Sequence, residues 1–102
     1  MLHYDLQRVK AAITQDRLVI ERKDSLRYRE LGLTRDDVIR YLTGLREGDW
    51  HKAHHYGDGC VDDGYRVVEH DRWGQKVVYI KLRLVTNGDG DTVVLISFHL
   101  SS

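Results

Sequence analysis

The hydrophobic pattern of this chain changes its period near Gly48, and this change constrains the fold more than any other feature. Before Gly48, apolar residues recur every three or four positions, which is typical of amphipathic helices. After Gly48 they alternate with polar residues, which is typical of strands that bury one face. Helices first and strands afterwards predict an α+β fold, with the N-terminal helices packed on one face of a C-terminal antiparallel β-sheet.

The pattern predicts three helical segments, and the third has the clearest start. The first two span residues 4–16 and 23–31, and a short β-branched piece at 18–20 between them is predicted to be extended. Thr34 is a good N-cap for the third helix, because its hydroxyl can accept a hydrogen bond from a free N–H of the first turn. The buried face of this helix is predicted from residues at positions i, i+3, i+4 and i+7, which are Val38, Tyr41, Leu42 and Leu45.

Four strands are predicted after Gly48. They span residues 50–56, 65–70, 76–85 and 92–100, and glycine-rich segments between them supply the turns, at 57–59, Gly74 and 87–90.

Alternation along the third of these strands assigns its side chains to two faces. The residues predicted to face the helices are Val78, Ile80, Leu82 and Leu84, and those predicted to face away are Tyr79, Lys81 and Arg83. On the last strand Val94, Ile96 and Phe98 are predicted to be core, which turns Ser97 and His99 outward.

The side chains that face away from the helices predict one polar surface on the open face of the sheet. Its members are Lys52, His54, Tyr79, Lys81, Arg83 and His99. A hairpin turning near residues 87–90 would make Tyr79 and His99 cross-strand neighbours. Such residues are also common on strand faces that only keep a protein soluble, so the pattern alone leaves both interpretations open.

Composition limits the class of protein. The chain has 102 residues, predicted as one domain over residues 1–102, and its sixteen basic and sixteen acidic residues give a formal net charge of zero. Neutrality argues against a non-specific nucleic-acid binder, although an enzyme can hold a few phosphates locally. One cysteine, no apolar run of about 18–20 residues and no secretory leader predict a cytoplasmic protein without membrane contact.

Three histidines in the first strand raise the question of a metal site. Strand alternation puts His51 and His55 on one face and His54 on the other, so no metal or other cofactor is predicted. Cys60 lies in a glycine-rich loop and is predicted to have no catalytic role. Trp50 and Trp73 flank strands and are predicted to be packing or rim residues.

An ordered set of short motifs runs from about residue 30 to the C-terminus. The motifs are Glu30-Leu31-Gly32-Leu33, Gly44-Leu45, Asp49, Lys52, Asp63, Tyr65-Arg66, Val78-Tyr79-Ile80-Lys81-Leu82 and Ile96-Ser97-Phe98. In this order and spacing the chain resembles the MqsR (motility quorum-sensing regulator) toxins, which are similar in fold to the RelE and YoeB ribonucleases. The resemblance implies cleavage of messenger RNA at short sequences without a metal. It also implies a partner antitoxin, encoded adjacently, that silences the toxin.

The resemblance also implies site residues. Lys52, Tyr79 and His99 fall on positions that are functional in the family, although the best-known member has lysine where this chain has His99. A family glutamine corresponds most nearly to Asp62, across a stretch that needs a small gap. A carboxylate beside a phosphate repels it, so Asp62 either points elsewhere or acts as a base.

The chemistry of RNA cleavage assigns roles to these candidates. A base removes the 2′-hydroxyl proton and an acid protonates the departing 5′ oxygen. His99 is the first choice for proton transfer and His54 a second, because histidine titrates near neutrality.

The remaining candidates would bind the substrate. Lys52 and Lys81 are predicted to hold the phosphate, with Arg83 in support. Tyr79 is expected either to donate a hydrogen bond to a phosphate oxygen or to stack on a base. Asp62 and Arg66 complete the predicted substrate-binding set. The alternative function is a degenerate toxin-like module that binds an antitoxin or an RNA without cleaving it.

Overall fold

The computed structural model describes residues 2–69 and 76–100, with the backbone alone for residues 24–26. The three predicted helices are present as α1 Leu6–Thr14, α2 Arg22–Glu30 and α3 Arg35–Thr43. The extended piece between the first two is strand β1, Leu18–Ile20. A short 3-10 turn at Glu47–Asp49 leads from α3 into the strands, which are β2 Trp50–His55, β3 Val61–Glu69, β4 Lys76–Asn87 and β5 Gly90–Leu100.

These five strands form one sheet in the order β1-β5-β4-β3-β2. Strands β2 to β5 pair antiparallel with their chain neighbours, as predicted, whereas β1 pairs parallel with β5. The sheet is therefore mixed, and the prediction of a purely antiparallel sheet was wrong at this one edge. A parallel pair needs a long crossover, and here most of the chain lies between β1 and β5. The predicted turn at Gly74, the end of a strand at His70 and the placement of Trp73 fall outside the described residues.

The end caps of α1 and α3 follow from local sequence. Asp5 accepts a hydrogen bond from the backbone N–H of Gln7 at 2.8 Å. Thr34 accepts from the N–H of Asp37 at 3.2 Å, and the carboxylate of Asp37 accepts from the N–H of Thr34 at 2.8 Å. This reciprocal pair is a capping box, and it confirms Thr34 as the N-cap of α3.

The hydrophobic core lies between the helices and one face of the sheet. The four β4 residues predicted to face the helices are all buried, together with Val38, Leu42 and Leu45 of the third helical segment. Tyr41 is half-buried and packs against this core. Burial of the alternating face of β4 therefore places its odd-numbered residues on the uncovered side.

Strand β5 contains a bulge that the sequence pattern did not reveal. Lys81 pairs with Ser97 and Leu82 pairs with Leu95, so Ile96 is an extra residue in β5. An extra residue reverses the alternation from that point. Consequently Val93 and Leu95 are buried before the bulge and Phe98 after it.

The prediction that Val94 and Ile96 belong to the core was therefore wrong, since both are only half-buried. The bulge accounts for the error. The prediction took every second residue before Phe98 as core, whereas the extra residue Ile96 shifts the buried positions to Leu95 and Val93.

Asp63 joins the N-terminal segment to the sheet. This fully buried carboxylate accepts hydrogen bonds from the backbone N–H groups of His3 and Tyr4 and from Nε1 of Trp50, at 2.8–3.1 Å. A buried charge needs such donors to offset its loss of hydration. Trp50 is thereby a packing residue, as predicted. None of the helices within residues 2–69 and 76–100 combines the length and the apolar character that a membrane span needs.

Candidate active site

The uncovered face of the sheet aligns the predicted polar residues in cross-strand rows. One row contains Arg66, Tyr79 and His99, which pair directly across β3, β4 and β5. The antiparallel register thus brings Tyr79 beside His99, which lies 20 residues later in the sequence. The predicted neighbourhood of Tyr79 and His99 is confirmed.

The next row lies one step along the same strands. Lys52, Gly64, Lys81 and Ser97 pair in turn across β2, β3, β4 and β5. Gly64 has no side chain, so the surface of the sheet is lower there than at its two neighbours in this row, Lys52 and Lys81.

A cavity of about 280 Å³ opens over these two rows. Five of the predicted site residues line it, namely Lys52, His54, Tyr79, Lys81 and His99. Ser97 and His51 also line it. Arg66, Arg83 and Asp62 do not line it. Arg66 contacts Tyr79 and Asp62 pairs with His54, whereas Arg83 contacts Asp62. The structure therefore gathers the predicted proton-transfer and phosphate-binding groups in one concave site.

Gly64 allows the imidazole of His54 to lie against strand β3. A Cβ atom on Gly64 would lie 3.1 Å from Nε2 of His54 and 3.2 Å from the carbonyl oxygen of Lys52. Contacts this short would require the ring or the backbone of β2 to shift by a few tenths of an ångström. Glycine at this position therefore shapes the floor of the cavity.

The rings of Tyr79 and His99 are stacked. Their centroids are 5.2 Å apart and their planes differ by 18°. The guanidinium carbon of Arg66 lies 5.6 Å from the centroid of Tyr79, within range of a cation–π contact. Tyr79 thus lies between a histidine on β5 and an arginine on β3. Both contacts hold the ring in place, and its hydroxyl remains as the group that can bind a substrate.

Ser97 gives His99 a further contact. The hydroxyl oxygen of Ser97 and Nδ1 of His99 are 3.2 Å apart. A partner at Nδ1 orients the ring and leaves Nε2 for another group. The sequence pattern placed Ser97 on this face without giving it a role. Its position two residues before His99, on the same face of the strand, is the signal that could have predicted this contact.

Both candidate histidines favour the neutral form. Burial, together with the positive charges of Arg27 and Lys81, lowers the pKa of His99 below its ordinary value of 6.5. Burial and the charges of Lys81 and Lys52 likewise lower the pKa of His54, against a smaller opposing effect of Asp62. A neutral imidazole near pH 7 can accept a proton.

Asp62 is fully buried and pairs with Arg83. Nε of Arg83 donates to Oδ1 of Asp62 at 2.7 Å, and the arginine side chain is 28% exposed. Oδ2 of Asp62 is buried without a hydrogen-bond partner among the described residues. The negative charge that would repel a phosphate is therefore neutralised by Arg83. Asp62 also lies beside the candidate proton-transfer residue His54, its cross-strand partner.

His51 reaches the cavity because β2 is irregular. The register shifts between Trp50 and Lys52, so simple alternation fails at His51. The interpretation that separated His51 from His54 by strand alternation was wrong for this reason, since both line the cavity. Within residues 2–69 and 76–100, no group of three His, Cys, Asp or Glu side chains is arranged to hold a metal ion.

Cys60 lies outside the cavity, after the turn that joins β2 and β3. Its backbone carbonyl accepts from the N–H of Tyr56 at 2.9 Å. The hydrogen bond with Asp58, together with burial, raises the pKa of the Cys60 thiol. A raised pKa disfavours the nucleophilic thiolate.

Comparison with known proteins identifies the family of this chain. No curated protein matches the chain closely enough to be compared with it. A family model described as "Motility quorum-sensing regulator, toxin of MqsA" matches residues 1–100, so the match also includes the helix α1, which the sequence motifs did not reach. The chain belongs to the MqsR toxin family.

Proposed function

We propose that this toxin is an endoribonuclease that cleaves messenger RNA by acid–base catalysis without a metal. The observation that carries the proposal is the cavity on the open face of the sheet, where two lysines, two histidines and a tyrosine meet. These residue types can transfer protons and stabilise negative charge. An RNA strand that is cleaved by its own nucleophile requires these two kinds of help from an enzyme. RNA provides that nucleophile as its 2′-hydroxyl.

Two histidines suffice for the proton transfers. A neutral imidazole takes the 2′-hydroxyl proton, the 2′ oxygen attacks the phosphorus, and the bond from phosphorus to the 5′ oxygen breaks. A protonated group then gives a proton to the departing 5′ oxygen. The products are a 2′,3′-cyclic phosphate and a 5′-hydroxyl. His99 and His54 are the candidates for these two roles, and their lowered pKa values favour the acceptor role near pH 7.

Lys52, Lys81 and Tyr79 would bind the scissile phosphate. The two lysines pair with Gly64 from opposite sides. The His54 ring lies over Gly64, so a phosphate bound between the lysines beside this ring would meet positive charge from both. The Tyr79 hydroxyl would donate to a phosphate oxygen, because both faces of its ring already have neighbours. Positive charge concentrated at one site compensates for the zero net charge of the chain.

In the cell, we propose that the toxin acts in the cytoplasm and that an adjacently encoded antitoxin silences it. Membership of a family described as the toxin of MqsA supports an antitoxin partner. Induced expression should then arrest growth and degrade messenger RNA, and co-expression of the neighbouring small protein should restore growth.

A cleavage assay with purified protein tests the enzymatic proposal. The protein should cut single-stranded RNA in the presence of EDTA, and mass spectrometry should find 2′,3′-cyclic phosphate ends. An RNA with 2′-deoxy nucleotides at the cleaved positions should resist. Cleavage of the deoxy substrate, or activity that EDTA removes, would contradict the mechanism.

The alternative is a degenerate module that binds without cleaving. Neutral net charge favours it. Asp62 does not, because its charge is paired with Arg83 inside the protein. Antitoxin binding by a wild-type protein that leaves every RNA intact would support this alternative.

A further inference from the structure

A second groove lies beside the cavity, where β2 begins and β3 ends. Its volume is about 630 Å³. The side chains that matter to its chemistry are Arg46, Trp50, His51, Arg66 and Val68. None of these except Arg66 belongs to the proposed substrate-binding set.

The groove joins the cavity through two residues. His51 lines both spaces. Arg66 lines the groove and at the same time contacts the ring of Tyr79 at 5.6 Å. An RNA strand bound beside Tyr79 could therefore continue past Arg66 and His51 into the groove.

The groove carries available positive charge. The side chain of Arg46 is 83% exposed, and its Nε lies 3.8 Å from Asp49, which is too long for a hydrogen bond. The carboxylate of Asp49 is used locally, because it accepts from the backbone N–H of Arg46 at 2.9 Å. The guanidinium of Arg46 is thus held only by this long, exposed ion pair with Asp49, which contributes little and which a phosphate can replace. Arginine suits phosphate in particular.

The groove also has apolar surface. Val68 is 53% exposed, which is high for a valine on a strand. The indole of Trp50 is held by its hydrogen bond to Asp63, so it offers a rigid surface. Unpaired RNA bases stack on aromatic and apolar surfaces, and the phosphates between them bind arginine.

We propose that this groove binds the nucleotides that flank the cleavage site on one side, with Arg46 at a flanking phosphate. This inference rests on the proposed ribonuclease function. Because the groove leaves the cavity in one direction only, it serves either the 5′ or the 3′ flank of the RNA, and not both.

The test compares the Arg46→Ala variant with wild type on three substrates trimmed from one cleaved RNA. The first has one nucleotide on each side of the cleaved dinucleotide, and the others add three nucleotides to its 5′ or its 3′ end. We expect one extension to raise kcat/KM in wild type and Arg46→Ala to lose about five- to tenfold on that substrate alone. Arg8→Ala is the matched control, because Arg8 is 53% exposed and pairs with Asp91 at the far end of the sheet.

A binding measurement accompanies the kinetics. A ten-nucleotide single-stranded RNA with 2′-O-methyl groups cannot be cleaved, and its affinity is measured against salt concentration. Arg46→Ala should weaken binding and reduce the slope of log K against log salt by about 0.7, the value for one phosphate on a single strand.

The outcomes separate the two proposals. If wild type cleaves none of the substrates, the ribonuclease proposal fails, and the binding measurement still decides on the groove. Equal loss on all three substrates, or the same loss in Arg8→Ala, would overturn the groove as a flanking site. Unchanged affinity for the ten-nucleotide RNA would also overturn it and would favour a protein partner for this surface.

Discussion

The rings of Tyr79 and His99 stack across β4 and β5, with centroids 5.2 Å apart and planes that differ by 18°. The stack depends on their direct pairing in the antiparallel register. It places an imidazole that favours the neutral form beside a phenol whose hydroxyl is left for substrate. The chemistry proposed for the toxin depends mainly on this pair and on the lysines beside it.

Replacing either His99 or Lys52 by alanine should lower RNA cleavage by at least about a hundredfold, because each removes a proposed proton-transfer or charge-stabilising group. Both side chains are exposed, so circular dichroism and the urea midpoint should match wild type. Cys60→Ser is the control and should keep full activity. Wild-type rates in a folded His99→Ala or Lys52→Ala protein would refute the assignment.

Tyr79→Phe should separate the hydroxyl from the ring. Phenylalanine keeps the stack on His99 and the contact with Arg66 but removes the proposed donor to phosphate. A hydrogen bond to a charged group contributes about 1.5–3 kcal/mol, so cleavage should fall about ten- to a hundredfold. Tyr79→Ala should fall further, since it also frees His99. If Tyr79→Phe cleaves like wild type, the hydroxyl has no role and the ring alone matters.

The histidine titrations should respond to Lys81. Its positive charge contributes to the lowered pKa of both His99 and His54. Lys81→Met removes a repulsion that disfavours the protonated form, so both pKa values should rise toward 6.5. NMR titration measures them directly, and the acid limb of the cleavage profile should move to higher pH if a neutral histidine is the base. Lys10→Met is the control, because Lys10 contributes to neither shift. A downward or absent shift in Lys81→Met would contradict the electrostatic account.

The Asp62–Arg83 pair should show strong coupling in stability. Arg83→Met leaves a buried carboxylate without its counter-charge and should cost about 3–5 kcal/mol of unfolding free energy. Adding Asp62→Asn should restore a large part of that loss, because the buried charge is then gone. Urea denaturation of the two single variants and the double variant closes the cycle. Additive effects would mean that the pair does not interact as the structure describes.

Two tyrosines should behave oppositely when their hydroxyls are removed. The hydroxyl of Tyr65 is buried without a hydrogen-bond partner among the described residues, and burial raises its pKa. Tyr65→Phe should therefore be neutral or stabilising. The hydroxyl of Tyr41 donates to the carboxylate of Glu69 at 2.7 Å, so Tyr41→Phe should lose about 1.5–3 kcal/mol of unfolding free energy. Urea unfolding checks both, and a clear loss in Tyr65→Phe would reveal a partner for its hydroxyl.

The sequence predicted the open face of β4 correctly because alternation is a local property. Burial of Val78, Ile80 and Leu82 requires that Tyr79 and Lys81 point the other way. The same reasoning on β5 succeeded for Phe98 and His99 and failed for Ile96, where the bulge adds a residue.

What the sequence determined by itself was therefore the kind and order of the elements, the start of α3 at Thr34 and the face of β4 that carries the candidate site. Only the tertiary structure decided the two strand irregularities at His51 and Ile96, the parallel pairing of β1 with β5 and the burial of Asp62 under Arg83. The reason is that periodicity and capping depend on neighbours a few residues away. Bulges, edge pairing and buried ion pairs depend on strands that meet only when the whole sheet is assembled.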